Sequence, residues 1–77
     1  MGIKVLFFGQ LTDFTKCTSL DLEGVGTTDE LKEIIFERFP ELASAKFVLA
    51  LNNEIVLENT VIKDNCILAF MSPFSGG

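Results

Sequence analysis

The chain has no histidine, no tyrosine and no tryptophan, and its 77 residues include only two cysteines and two prolines. Without histidine it lacks the commonest general base near neutral pH, and neither cysteine has an imidazole to activate it. An autonomous catalyst is therefore not expected. Glu30 and Glu33 come nearest to an acid–base pair, but carboxylates on the outer face of a helix are ordinarily just solvated. Cys17 and Cys66 lie far apart and form no Cys-x-x-Cys pair, so neither a zinc site nor a dithiol redox motif is indicated, and a reduced, cytoplasmic setting fits best. An iron–sulfur cluster held by cysteines needs more of them than the chain has. No apolar run approaches the ~20 residues of a membrane span. The N-terminus also lacks the layout of a signal peptide, so a soluble, unprocessed chain is expected, with no membrane partner. Basic residues are scarce as well. Six stand against eleven acidic ones, for a net charge of −5, which opposes binding to nucleic acid and suits docking on a basic protein surface. Gly9, Gly24 and Gly26 match no phosphate-binding fingerprint, so no cofactor is expected to be bound, and any ATP has to be held by a partner.

What is present is apolar surface. Hydrophobic residues make up 48% of the chain and eight of them are Phe. A single domain of this size buries only ~60% of its unfolded surface, so such density replaces the disulfides or metal a small domain often needs. Ile3 to Phe8 reads as a first strand closed by Gly9, with Ile3, Val5 and Phe7 inward and Lys4, Leu6 and Phe8 on the outer face. Gln10 to Lys16 is polar and reads as a loop. Thr18 to Leu22 is a second strand, hairpinned to the first and ended by Gly24 and Gly26. Thr27 and Glu30 form a capping box that starts a helix, along which Leu31, Ile34, Ile35 and Phe39 recur at helical spacing until Pro40 ends it. Leu42 to Ala45 is a short connection with one helical turn. Phe47 to Leu51 is unbroken apolar sequence, suited to a central strand covered on both faces. Asn52 and Asn53 turn the chain into a short edge strand, Glu54 to Leu57. A loop with a turn at Lys63-Asp64-Asn65 leads to the last strand, Cys66 to Met71. The order is β-β-α-β-β, an α+β domain over residues 1–71.

In the last strand Leu68 and Phe70 point to the helix, which leaves Ile67, Ala69 and Met71 on the outer face. If the first and last strands are neighbours, these residues merge with Leu6 and Phe8 into one exposed apolar patch, of a kind that marks a partner interface. Residues 72–77, Ser-Pro-Phe-Ser-Gly-Gly, read as a flexible tail rooted at that patch. Having no Cβ, Gly76 and Gly77 suit either a channel too narrow for other residues, with an α-carboxylate brought against a partner's catalytic groups, or simply the small, poorly ordered ending common at chain termini. Fully extended, the tail spans ~20 Å at ~3.3 Å per residue. Pro73 stiffens its base. Phe74 is either an anchor at the channel mouth or packs back on the patch, and Ser75 simply passes through.

With these features in view the chain resembles the ubiquitin-like sulfur carriers, in particular the small subunits of molybdopterin synthase. The likeness rests on the opening Ile3-Lys4-Val5-Leu6-Phe7-Phe8-Gly9-Gln10, on Thr28 to Leu31, on Leu51-Asn52 and on the ending Ala69 to Gly77. Two departures mark a divergent member. The family's Asp-Gly-Asp-Glu turn is here Asp64-Asn65-Cys66-Ile67, and its Pro-Pro-Val before Ser-Gly-Gly is here Ser72-Pro73-Phe74. Asn65 tolerates the left-handed backbone that Gly provides, so the turn should survive. Cys66 and Ile67 are expected to remove charge beside the tail and to enlarge the apolar patch, changing how an activating partner is recognised.

The resemblance implies a β-grasp fold, a mixed sheet wrapped around one helix. It implies that an adenylating partner uses ATP to activate the Gly77 carboxylate and that a sulfur donor protein then displaces AMP. The resulting thiocarboxylate on Gly77 delivers sulfur within the large synthase subunit to form the molybdopterin dithiolene, in an assembly of two large and two small subunits. The small subunit is non-catalytic alone and is a sulfur-donating component of a sulfurtransferase. Leu6, Phe8, Ile67, Ala69, Met71, Pro73 and Phe74 would then form the partner interface, with Ser75 and Gly76 threading the channel. A thiamine-pathway sulfur carrier, a ubiquitin-like modifier joined to lysines and a plain interaction domain are the competing readings.

Overall fold

The computed structural model describes residues 2–73. Its first strand is β1 (Ile3–Phe7), which buries Ile3, Val5 and Phe7 and leaves Lys4 exposed, as the alternation predicts. The segment expected to be a loop is instead a short helix, α1 (Leu11–Thr15), that buries Leu11 and Thr15. Five residues are too few to show helical periodicity among the polar Gln10, Thr12, Asp13 and Lys16, and a helix this short depends on its packing. The Thr12 hydroxyl donates to the Gly9 carbonyl at 2.9 Å, and Lys16 closes the helix in the left-handed conformation. Strand β2 (Ser19–Leu22) then runs antiparallel to β1, pairing Val5 with Leu20 and Ile3 with Leu22.

Helix α2 (Thr28–Arg38) begins where the capping signal puts it, with the Thr27 hydroxyl accepting from the Glu30 N–H at 3.2 Å. The reciprocal half is displaced by one residue. The Glu30 carboxylate accepts from the Gly26 N–H at 2.8 Å rather than from Thr27. A further free donor of the first turn, Asp29 N–H, is taken by the Asn59 side chain at 2.9 Å, which ties the helix start to the distant loop. Leu31 and Ile35 are fully buried. Pro40 ends the helix by opening a 3-10 turn (Pro40–Ser44), two residues earlier than the expected Leu42, and this turn buries Leu42.

Strand β3 (Val48–Leu51), the Asn52-Asn53 turn, β4 (Glu54–Val56) and β5 (Ile67–Met71) complete a five-stranded sheet in the order β2-β1-β5-β3-β4. Both turn asparagines have positive φ, 49° and 72°, the conformation a tight hairpin requires. The central strand is thus β5, parallel to β1 and antiparallel to β3, whereas β3 lies one place in from the edge. Leu57 falls outside the edge strand. The buried side chains of β1 and β5 and Leu49 of β3 pack with Leu31 and Ile35 of α2 on one face of the sheet, where Phe7 and Phe70 approach at 5.4 Å between ring centroids and Phe47 and Phe70 at 5.0 Å. This mixed sheet around one helix is a β-grasp, with α1 and the 3-10 turn added to the expected order. Among the described residues no helix is long and apolar enough to cross a membrane.

Candidate docking face and tail root

The face of the sheet turned away from α2 follows from the strand register. Leu6 of β1 stands opposite Ala69 of β5, Ala69 opposite Ala50 of β3, and Ala50 opposite Ile55 of β4, so one row of apolar side chains crosses four strands. Ile67 lies opposite Lys4 on one side of this row, and Met71 opposite Val48 on the other. Phe8 prolongs β1 by donating its N–H to the Phe70 carbonyl at 3.0 Å. Because alanines occupy the middle of the row and larger residues its margins, the face is concave. The hollow measures about 270 Å³ and is lined by Leu6, Phe8, Ala50, Asn53, Ile55, Ile67, Ala69 and Met71. Phe8, Ile55 and Ile67 are each about half exposed, at 47%, 54% and 46%. Large apolar side chains grouped around a depression, rather than scattered singly, have the form of a binding surface.

The apolar outer-face residues named from the sequence, Leu6, Phe8, Ile67, Ala69 and Met71, all line this one hollow. Ala50, Asn53 and Ile55 were missed. The alternation of β3 would have turned Ala50 outward, but the sequence does not say that β3 is the neighbour of β5. Pro73 lies elsewhere. It lines a second groove, of about 590 Å³, with Gly9, Gln10, Leu11, Phe14, Ala45, Lys46 and Ser72, at the end of the sheet where β5 gives way to the tail. Phe74, Ser75, Gly76 and Gly77 lie outside the described residues.

The expectation for Cys66 needs correction. Its side chain is buried on the core side and its sulfur accepts from the Asn52 amide at 3.5 Å, so it adds nothing to the apolar face. Ile67 alone does. Both residues also stand at the start of β5, a strand length of ~13 Å from the root of the tail at ~3.3 Å per residue, and not beside it. Asn65 does adopt the left-handed conformation, with φ 64°, and its N–H reaches the Gly2 carbonyl at 2.8 Å.

Lys4, exposed and opposite Ile67, stands on the same face as the hollow. The Lys32–Asp29 ion pair, at 3.6 Å, lies on α2 on the opposite side of the molecule. Among the described residues no three His, Cys, Asp or Glu side chains are grouped to hold a metal ion. The apolar hollow thus lies on a face where β1 and β5 run parallel toward the end of the sheet occupied by Ser72 and Pro73.

Comparison with known proteins agrees with the fold. The family model described as the ThiS family matches residues 5–77. The molybdopterin synthase sulfur carrier subunit of Arabidopsis thaliana is 32% identical over 79 aligned residues, covering 97% of this chain and 82% of that protein. Among solved structures, a complex of subunits 1 and 2 of molybdopterin-converting factor from Helicobacter pylori contains a chain 25% identical, with a TM-score of 0.77 and full coverage of both chains. The small archaeal modifier protein 1 of Methanosarcina acetivorans matches with a TM-score of 0.82 at 20% identity, over 99% of this chain and 96% of that one, a likeness of fold.

Proposed function

The chain belongs to the ThiS family, and on that premise we propose that it is a sulfur carrier whose reacting group is the carboxylate of Gly77. An adenylating partner joins that carboxylate to the AMP moiety of ATP with release of pyrophosphate, which converts a poor acyl electrophile into a good one. Sulfur from a donor protein then displaces AMP. The thiocarboxylate so formed is a tethered nucleophile that enters the active site of a large synthase subunit and passes its sulfur to the pterin precursor of molybdopterin. Water replaces the sulfur, and Gly77 returns as a carboxylate. The chain itself supplies no acid, base or metal. Its contribution is recognition and delivery.

The observation that carries this reading is the position of the hollow. It crosses β1, β5, β3 and β4, and β5 leads through Met71 into Ser72, so a partner seated on Leu6, Ala69 and Met71 is held beside the root of the tail that carries Gly77. The family match running to residue 77 supports the role of Ser75, Gly76 and Gly77 as the threaded segment. The complex of subunits 1 and 2 from Helicobacter pylori supports a large subunit as the partner, and the sulfur carrier from Arabidopsis thaliana supports sulfur as the cargo. The test is reconstitution. Carrier charged with sulfur, mixed with a large synthase subunit and the pterin precursor, should yield dithiolene product in proportion to carrier, and removal of Gly77 should abolish product while leaving the affinity for the large subunit largely intact. Loss of affinity with Gly77, or product formed without it, would refute the reading.

A further inference from the structure

Asn53 is the only polar residue among those that line the hollow, where it joins Ala50, Ile55 and Ile67. It holds the second place of the two-residue turn between β3 and β4, which the pair Leu51 and Glu54 closes. Both turn residues have positive φ, 49° and 72°, a geometry whose second place ordinarily goes to glycine. Asn52, at the first place, spends its side chain on the fold, accepting from the Ile67 N–H and donating to the Cys66 sulfur. Asn53 does not. It is exposed, and among the described residues its side-chain amide has no hydrogen-bond partner. A left-handed backbone therefore carries a polar side chain that does nothing for the turn, on a residue that lines an otherwise apolar depression.

We propose that Asn53 is a specificity-determining residue for docking: when an apolar side chain of the large synthase subunit fills the hollow, the Asn53 amide hydrogen-bonds the main chain of the same partner segment and fixes how that segment lies. This rests on the sulfur-carrier reading. The hydrophobic effect is non-directional, so the apolar lining rewards burial whichever way the partner is turned, and pockets of this kind take their orientation from a few polar groups. The Asn amide offers an acceptor and two N–H donors, which complement the N–H and C=O that a residue of an extended segment presents along one edge. A segment whose peptide groups at that point are already paired leaves the Asn53 amide out of water without a partner. That penalty is how the residue discriminates.

Asn53→Gly isolates the amide, because glycine keeps the left-handed backbone and removes only the side chain. In a titration of the full chain with the large synthase subunit it should weaken docking roughly 10-fold, with a denaturation midpoint equal to or above that of the wild-type chain. Asn53→Asp keeps the size and an acceptor but has no donor, and should weaken docking at least as much. In product formation the change should fall on KM for the carrier, with kcat unchanged. A second measurement follows the group itself. The side-chain amide protons of Asn53 should shift in the NMR spectrum on docking, while those of Asn59, tied to the start of α2, stay in place. A fall in stability that accounts for the loss of affinity, an effect on kcat alone, or unmoved Asn53 amide resonances in the complex would overturn the proposal. If the large subunit binds the wild-type and Asn53→Gly chains alike, the proposal fails and the sulfur-carrier reading stands; if it binds neither, both fail.

Discussion

Leu6 and Ala69 face each other across two parallel strands, and the small side chain of Ala69 is what makes the apolar face concave at its centre. The pairing joins the beginning of the chain to its end. A face assembled in this way forms only when β5 has inserted between β1 and β3, so an unfolded or partly folded chain presents no docking surface.

Charge placed in the hollow should therefore abolish docking and spare the fold. Phe8 is half exposed, and Phe8→Asp removes an aromatic anchor while burying a carboxylate against the partner. The expected loss is about 2–4 kcal/mol of binding to the large subunit, with thermal stability nearly unchanged. Titration calorimetry and a melting curve check both halves.

Filling the hollow should act by shape alone. Ala69→Leu adds a side chain to the floor without adding charge, and loss of affinity with an unchanged denaturation midpoint is expected. Increased affinity would mean that the partner does not reach the floor.

Stability should divide by face. Leu68 is fully buried beneath α2, so Leu68→Ala is expected to cost about 2–5 kcal/mol, enough to unfold much of a domain this small. Leu57, at 86% exposure, should tolerate Ser within about 0.5 kcal/mol. Urea denaturation of both variants distinguishes the cases.

The two turn asparagines should behave differently despite their shared positive φ. Asn52 Oδ1 accepts from the Ile67 N–H at 2.9 Å, its own N–H donates to the Ile67 carbonyl at 2.8 Å, and its amide reaches the Cys66 sulfur. Asn53 has no such ties among the described residues. Asn53→Gly should be neutral or slightly stabilising, since glycine accepts the left-handed backbone. Asn52→Gly should cost about 1–2 kcal/mol by freeing a strand-end N–H. Equilibrium unfolding resolves the difference.

These cases show which features the sequence discloses. Alternation in Ile3 to Phe8 and Cys66 to Met71 separates core from surface because a strand has a period of two, and Thr27 with Glu30 announces a helix because a cap is a local structure. Strand order is not local. That Ala50 and Ile55 complete the hollow depends on β3 pairing with β5, and that Asn52 clamps Ile67 depends on a contact fifteen residues away in sequence. Helix α1 escaped notice because a five-residue helix is held by the burial of Leu11 and not by propensity.

The most direct test of the account is the mass of the chain after incubation with its adenylating partner, ATP and a sulfur source. One oxygen of the chain should be replaced by sulfur, confined on fragmentation to the C-terminal fragment at Gly77. Fragmentation is essential, because oxidation of Met1 or Met71 gives the same nominal change. An unmodified Gly77 in the presence of a partner proven active would contradict the account.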